Sequence, residues 1–153
     1  MKAYELNLAR QKIQAFCVYQ DRCHQDVLKK LKSWGLFSET VNLLLGELED
    51  SNFLNEERFS RSFVRGKFRI KKWGRIKISN ALQRRDINQD IIATALTEIN
   101  EQDYFDTLIV LLKKKDAIEK EPNSIKRKVK LTRYLASKGF EFPLIEIAFK
   151  NIK

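Results

Sequence analysis

Glycine and proline are scarce in this chain, at five and two of 153 residues. The many tight turns of an all-β fold would need more of both, so the shortage favours helices. Histidine occurs once, as His24, and cysteine twice, as Cys17 and Cys23. Two cysteines cannot form the framework of a small disulfide-rich secreted domain. Together with a lone histidine they do not supply the four suitably spaced ligands of a zinc site. A Ser–His–Asp or Cys–His catalytic set would have to use His24, and nothing supports one. The glycines, at positions 35, 46, 66, 74 and 139, are scattered, so no phosphate-binding loop is present. No apolar run approaches the roughly 18 residues that cross a bilayer, and residues 1–10 lack the apolar segment of a secretory leader. The expectation is a cytoplasmic protein with reduced thiols, no membrane partner, no metal, no cofactor and no catalytic site.

What the chain does have is charge and helical periodicity. Apolar residues make up 43% and charged residues 33%, ordinary for a folded protein and too apolar for disorder. Thirty basic residues against twenty acidic ones give a net charge of +10 and a pI of about 9.7. A field of that sign favours polyanions: nucleic acid, an anionic surface or an acidic protein partner.

The sequence repeats. Leu31-x-x-x-Gly35-Leu36, Leu82-x-x-x-Asp86-Ile87 and Leu135-x-x-x-Gly139-Phe140 lie 51 and then 53 residues apart. The same offsets align Val27 with Ile78 and Leu131, and Val41 with Ile92 and Ile145. They also align Leu44 with Ala95 and Ala148, Leu45 with Leu96 and Phe149, and Leu48 with Ile99 and Ile152. Seven apolar positions therefore recur in three copies without a gap, which chance matching does not readily supply. Val27 and Leu31 share one helix face, and 41-44-45-48 is the stripe of a second amphipathic helix. Gly35 and Gly139 suit the left-handed position that closes a helix, where Asp86 is less comfortable. Ser38 and Asn88 are candidate caps, and Pro143 fits a first helical turn.

With an upstream helix in each copy, the predicted fold is all-α. Three tandem three-helix repeats, helix-turn-helix-like units, form an elongated array, straight or curved, as stacked repeats do. The predicted helices are 4–19, 23–34, 38–50, 55–72, 74–85, 88–100, 101–121, 125–138 and 142–151. The predicted units are 1–52, 53–100 (the basic one) and 101–153.

Charge is sorted along the chain. Residues 58–85 hold eleven basic residues and no acid: Arg58, Arg61, Arg65, Lys67, Arg69, Lys71, Lys72, Arg75, Lys77, Arg84 and Arg85. Residues 38–57 and 86–106 each hold six acids and no base, and 113–138 hold ten bases against three acids. On a helical wheel Arg58, Arg61, Arg65, Arg69 and Lys72 form one stripe, with Phe59, Phe63 and Ile70 on a separate, core-facing side. Like charges at i, i+4 weaken an isolated helix. The acidic third helices could offset them, or an outside polyanion could. A charge run is ordinarily a solvated face, but 28 residues without an acid favour a binding role.

The third helices begin with Ser38-Glu39, Asn88-Gln89-Asp90 and Glu141, and those carboxylates would meet phosphates if such a helix entered a major groove. Contact through phosphates, or with a protein–DNA assembly, fits better than base reading. Trp34, Trp73 and Tyr134, near helix ends, are expected to pack in cores or between units. Phe68, beside the stripe, is expected to pack on another helix, with stacking on a base or filling a partner's pocket as its functional alternatives.

The segment LNEERFSRSFVRGKFRIKKWGRIKISNALQRRDI, residues 54–87, resembles the signature of the RecX family, small regulators of the bacterial RecA recombinase. The resemblance rests on Glu56-Glu57, Arg58-Phe59, Arg61, Phe63-Val64, Arg65, the Trp73-Gly74 turn, Arg75-Ile76 and Leu82 before Asp86-Ile87. The first copy is similar in Ala9-Arg10, in Arg22 through Val27 and in Leu31 before Gly35. The third is similar in Lys128, Tyr134-Leu135 and Lys138-Gly139-Phe140. Asp86 departs from the usual glycine, and the spacer 113–125 is longer and more charged. The resemblance implies tandem three-helix repeats without catalysis that bind the RecA filament along its groove and restrain ATP hydrolysis and strand exchange. The partners it implies are the RecA recombinase filament and, through phosphates and without sequence preference, single- or double-stranded DNA. The candidate filament- and DNA-binding residues are Arg58, Arg61, Arg65, Lys67, Arg69, Lys71, Lys72, Arg75 and Lys77. Arg58 and Arg61 could instead bridge to Glu56, Glu57 or an acidic third helix. The competing expectation is a nonspecific DNA-binding repeat protein with no recombinase partner.

Overall fold

The apolar stripes at helical spacing become nine α-helices in a computed structural model that describes residues 3–152. They are α1 Ala3–Tyr19, α2 His24–Ser33, α3 Ser38–Asp50, α4 Glu56–Arg69, α5 Arg75–Gln83, α6 Gln89–Leu96, α7 Glu101–Ile118, α8 Ser124–Ser137 and α9 Phe142–Asn151. Met1, Lys2 and Lys153, at the ends of the first and third predicted units, lie outside the described residues. Helices pack in sequential triplets: α1 with α2 and α3, α4 with α5 and α6, α7 with α8 and α9.

The repeated apolar positions build the cores. Val27, Ile78, Leu131, Leu31, Leu82, Leu135, Val41, Ile92 and Ile145 are all buried. So are Leu44, Ala95, Ala148, Leu48 and Ile99, while Leu45, Leu96, Phe149 and Ile152 are half-buried against the same clusters. The three aligned turn residues all adopt left-handed backbone: Gly35 at φ 71°, Asp86 at 60° and Gly139 at 100°. Asp86 therefore takes the glycine-like conformation despite its Cβ.

Several helix starts and ends differ from expectation. Asn88 caps α6 by accepting from the Asp90 amide, whereas Ser38 makes no side-chain cap for α3. Asn55, Asn100 and Asn123 cap α4, α7 and α8 in the same way as Asn88. Helix α4 stops at Arg69 rather than 72, because Trp73 N–H bonds back to Lys67 O at 3.1 Å and Lys72 turns left-handed at φ 58°. That ending rotates Ile70 away from the core, and it is 78% exposed instead of buried. Helix α6 stops at Leu96 and α7 at Ile118, short of the predicted 100 and 121. The charged spacer after α7 is pinned by Arg127, which donates to Asp116 Oδ1 at 2.9 Å and to the carbonyls of Glu119 and Glu121.

The two joints between units are built differently. The first unit has its own core, while the second and third share one, which Cys23 of the first unit also enters. Phe68 of α4 meets Tyr104 of α7 with ring centres 5.8 Å apart, and Tyr104 meets Phe140 at 5.0 Å. Phe68 is thus a packing residue. At this joint Gly74 N–H donates to Lys138 O at 2.7 Å and Ile76 N–H to Gly139 O at 3.0 Å. The Arg75 amide donates to the Tyr104 hydroxyl at 2.9 Å. Amides at the start of α5, which Gly74 cannot cap with a side chain, are therefore satisfied by the third unit. The joint between the first two units is polar. Arg58 donates to Asp21 at 2.8 Å, Arg85 to Asp26 at 3.0 Å, Gln25 to Asp86 at 3.1 Å, and the His24 amide to Glu56 at 3.3 Å.

Within the first unit, Arg10 grips Glu47 through Nε at 2.6 Å and Nη2 at 2.9 Å. These hydrogen bonds hold the Glu47 carboxyl below its ordinary value of 4.5. A lowered folded value means the pair's contribution is complete above the ordinary value and is lost as pH falls through the lowered one. Glu47→Gln should therefore give a shallower loss of stability on acidification than the parent, measured by urea unfolding at about pH 7 and about pH 3. An equally steep loss would remove the pair from acid sensitivity.

Candidate functional site

In the folded chain the nine candidates divide into four arginines paired with acids, Arg58, Arg61, Arg65 and Arg75, and five basic residues that are not, Lys67, Arg69, Lys71, Lys72 and Lys77. Arg58 is held by Asp21 and by the carbonyls of Asn52 and Phe53. Arg61 meets Glu57 at 3.1 Å and Glu98 at 3.5 Å, and Arg65 meets Glu98 at 2.7 Å. Glu98 lies just after α6, so the acids of the unit's third helical region offset the like-charged stripe. Such part-exposed pairs are each worth about 0–1 kcal/mol. Arg75 is the most enclosed of the four paired arginines, with Nη1 on Glu141 at 2.9 Å and Nη2 2.7 Å from Glu101. That second contact is an ion pair off the hydrogen-bond axis. Burial works against the charge of Arg75, but the two carboxylates outweigh it and its pKa is raised. The guanidinium also lies 4.0 Å from the centre of the Tyr104 ring.

The other five candidates have no acid partner among the described residues. Lys67 and Lys77 lie on Trp73, their Nζ atoms 4.8 and 4.5 Å from a Trp73 ring centre. Cation–π contact holds an ammonium in place while leaving its charge uncancelled. Arg69, Lys71 and Lys72 are exposed at the end of α4 and in the turn that follows. The sequence stripe Arg58–Arg61–Arg65–Arg69–Lys72 is therefore not one surface of equivalent charges. Its first three members are engaged internally, and its last has left the helix.

Lys138, at the end of α8, was not among the candidates, yet the fold brings it to this group. Its Nζ donates to Lys71 O at 3.0 Å. Burial, then the neighbouring charges of Lys77 and Lys71, push its pKa down. Repeat alignment places Lys138 level with Arg85 and Trp34 but does not show which unit it will touch.

Two open clefts flank Phe63 and Lys67. One, of about 300 Å³, lies between the end of α1 and α4 and is lined by Gln20, Asp21, Phe59 and Ile70 among others. The other, of about 370 Å³, lies between α2 and α5 and is lined by Lys29, Trp73, Arg84 and Arg85 among others. Neither gathers a set of metal ligands, and no group of three or more His, Cys, Asp or Glu side chains fit to hold a metal occurs among the described residues. His24 contacts Glu49 at 2.9 Å. No helix among the described residues is long and apolar enough to cross a membrane.

Comparison with known proteins agrees with this architecture. Residues 55–96 match the family model for the second three-helix domain of RecX, and residues 101–149 match that for the third. The chain is 32% identical over 123 residues to the regulatory protein RecX of Clostridium perfringens strain 13, covering 79% of this chain and 57% of that protein. It is 29% identical over 122 residues to the regulatory protein RecX of Prosthecochloris aestuarii, covering 80% of this chain and 78% of that one. The chain spans 57–61% of the length of the Clostridium relatives it matches. The crystal structure of RecX from Lactobacillus salivarius superposes with a TM-score of 0.88 at 19% identity, over 99% of this chain and 98% of that one. A second crystal structure of regulatory protein RecX gives 0.86 at 23% identity, over 95% and 73%. At these identities the two structures speak for the fold. With matched domains over two successive units and an aligned relative at 32% identity, the chain belongs to the RecX family.

Proposed function

We propose that this protein regulates the RecA recombinase in the cytoplasm by binding the RecA–DNA filament through the basic face of its second unit, without chemistry of its own. The observation that carries the reading is the uncompensated charge left after folding. Acids within reach are taken by arginines, while Lys67, Arg69, Lys71, Lys72 and Lys77 have no acid partner among the described residues. Such a surface attracts phosphates and acidic protein surfaces alike, as a filament presents both. The effect on RecA is inhibition of ATP hydrolysis and strand exchange.

The test is ATP hydrolysis by the cognate RecA on single-stranded DNA with this protein titrated in. The parent should suppress turnover. The variant R69E/K71E/K72E should lose at least about tenfold in potency, a change worth about 1.4 kcal/mol, while keeping its helical circular dichroism. Suppression by the variant at parent potency would take this face out of the mechanism. The unpaired lysines also favour a second reading, a nonspecific DNA-binding repeat protein with no recombinase partner. Tight, salt-sensitive binding to bare DNA with no effect on RecA at saturation would select it.

A further inference from the structure

One cluster of unpaired charge does not lie within one unit. It lies on the seam where the α4–α5 turn of the second unit meets the end of α8 in the third. Lys138 Nζ is fixed on the carbonyl of Lys71 at 3.0 Å. Lys77 is held beside it by the backbone, because Gly74 N–H donates to Lys138 O and Gly139 lies against the Lys77 Cβ region. Lys67 and Lys77 both lie against Trp73, two residues from Lys71. No ion pair among the described residues engages any of the four lysines. Ammonium groups repel one another, so a fold that gathers four of them without an acid leaves room for an anion to lower the energy. Burial first, then the charges of Lys77 and Lys71, push the Lys138 pKa down.

We infer that Lys67, Lys71, Lys77 and Lys138 form a composite site for the phosphodiester backbone of a nucleic acid, completed only when the second and third units are docked. The inference rests on the filament-binding reading and names the DNA contact within it. Compact ammoniums on flexible stems bind phosphates as point charges, without base recognition. The site adds Lys138 to the nominated residues and makes the Gly74–Gly139 joint a positioning element for it.

The experiment is fluorescence anisotropy of a labelled oligothymidylate titrated with the full chain at several salt concentrations. Three proteins are compared: the parent, K77Q/K138Q, and K113Q/K114Q, which removes equal charge from an exposed stretch of α7. Losing two phosphate contacts on a single strand should lower the slope of log affinity against log salt by about 1.4, roughly 0.7 for each contact. The α7 variant should keep the parental slope. If both variants lower the slope equally, binding is diffuse attraction and the composite site is overturned. If the parent binds and K77Q/K138Q matches it, the site is overturned while filament regulation stands. If the parent shows no salt-dependent binding, the site and the DNA part of the filament reading both fall. Displacement of the oligonucleotide by polyglutamate at equal charge concentration would assign the lysines to an acidic protein surface and overturn the phosphate assignment.

Discussion

Alanine at position 74 should lower the thermal unfolding midpoint by roughly 6–12 °C, following from a loss of about 3 kcal/mol. A Cβ at Gly74 would lie 2.3 Å from the carbonyl carbon of Gly139, 2.4 Å from its oxygen and 2.5 Å from the Phe140 nitrogen. All three are backbone atoms, so no rotamer change relieves the clash and the joint itself must open. Opening it sacrifices the bonds from Gly74 N–H to Lys138 O and from Ile76 N–H to Gly139 O. Two other glycines provide the controls. Gly46 and Gly66 lie within helices with open space where a Cβ would go, so alanine there should raise stability by about 0.5–1 kcal/mol. Calorimetry on the three variants would decide the matter. A Gly74→Ala midpoint within about 2 °C of the parent would mean that the close backbone approach is not a determinant of stability.

Tyr104→Phe should cost about 2–3 kcal/mol, although the ring is kept. The phenol is 1% exposed. Its oxygen accepts from the Arg75 amide at 2.9 Å and its proton is donated to Glu141. Burial, then the bond to Glu141, push the phenol pKa up, so it remains a donor at any physiological pH. Phenylalanine preserves the contacts with Phe68 and Phe140 but leaves the Arg75 amide without an acceptor and Glu141 with one donor fewer. Unsatisfied buried groups carry the larger share of such a loss. Urea midpoints for Tyr104→Phe, Glu141→Gln and the double variant would measure the coupling. Additive losses would show that the hydroxyl and the carboxylate act independently.

The repeat in the sequence located all three turns and the buried face of each second and third helix, because apolar spacing at 3.6 residues per turn directly reports the side of a helix that leaves water. The left-handed turn at Asp86 was legible for the same reason: alignment with Gly35 and Gly139 carried more information than the residue's own preference. Ile70 was misplaced because a wheel assumes that the helix continues, and the left-handed Lys72 ends it. The candidate site was legible as composition and only partly as geometry. The run from Arg58 to Lys77 is basic in sequence, but which charges are spent depends on Asp21, Glu98, Glu101 and Glu141, which other elements bring in. Lys138 could not be assigned from periodicity, which relates equivalent positions in different units and says nothing about where one unit touches the next.

The amides at the start of α5 are bonded to residues 104, 138 and 139, and one at the start of α2 is bonded to residue 56. A ribosome makes those partners later than the helices they complete. As the chain emerges, the first and second units still have open donors when their own helices are complete, and the middle one stays incomplete until Gly139 has left the exit tunnel. Each of these two units is thus sealed only by the one made after it, and the last joint to form is also the one that closes the shared core.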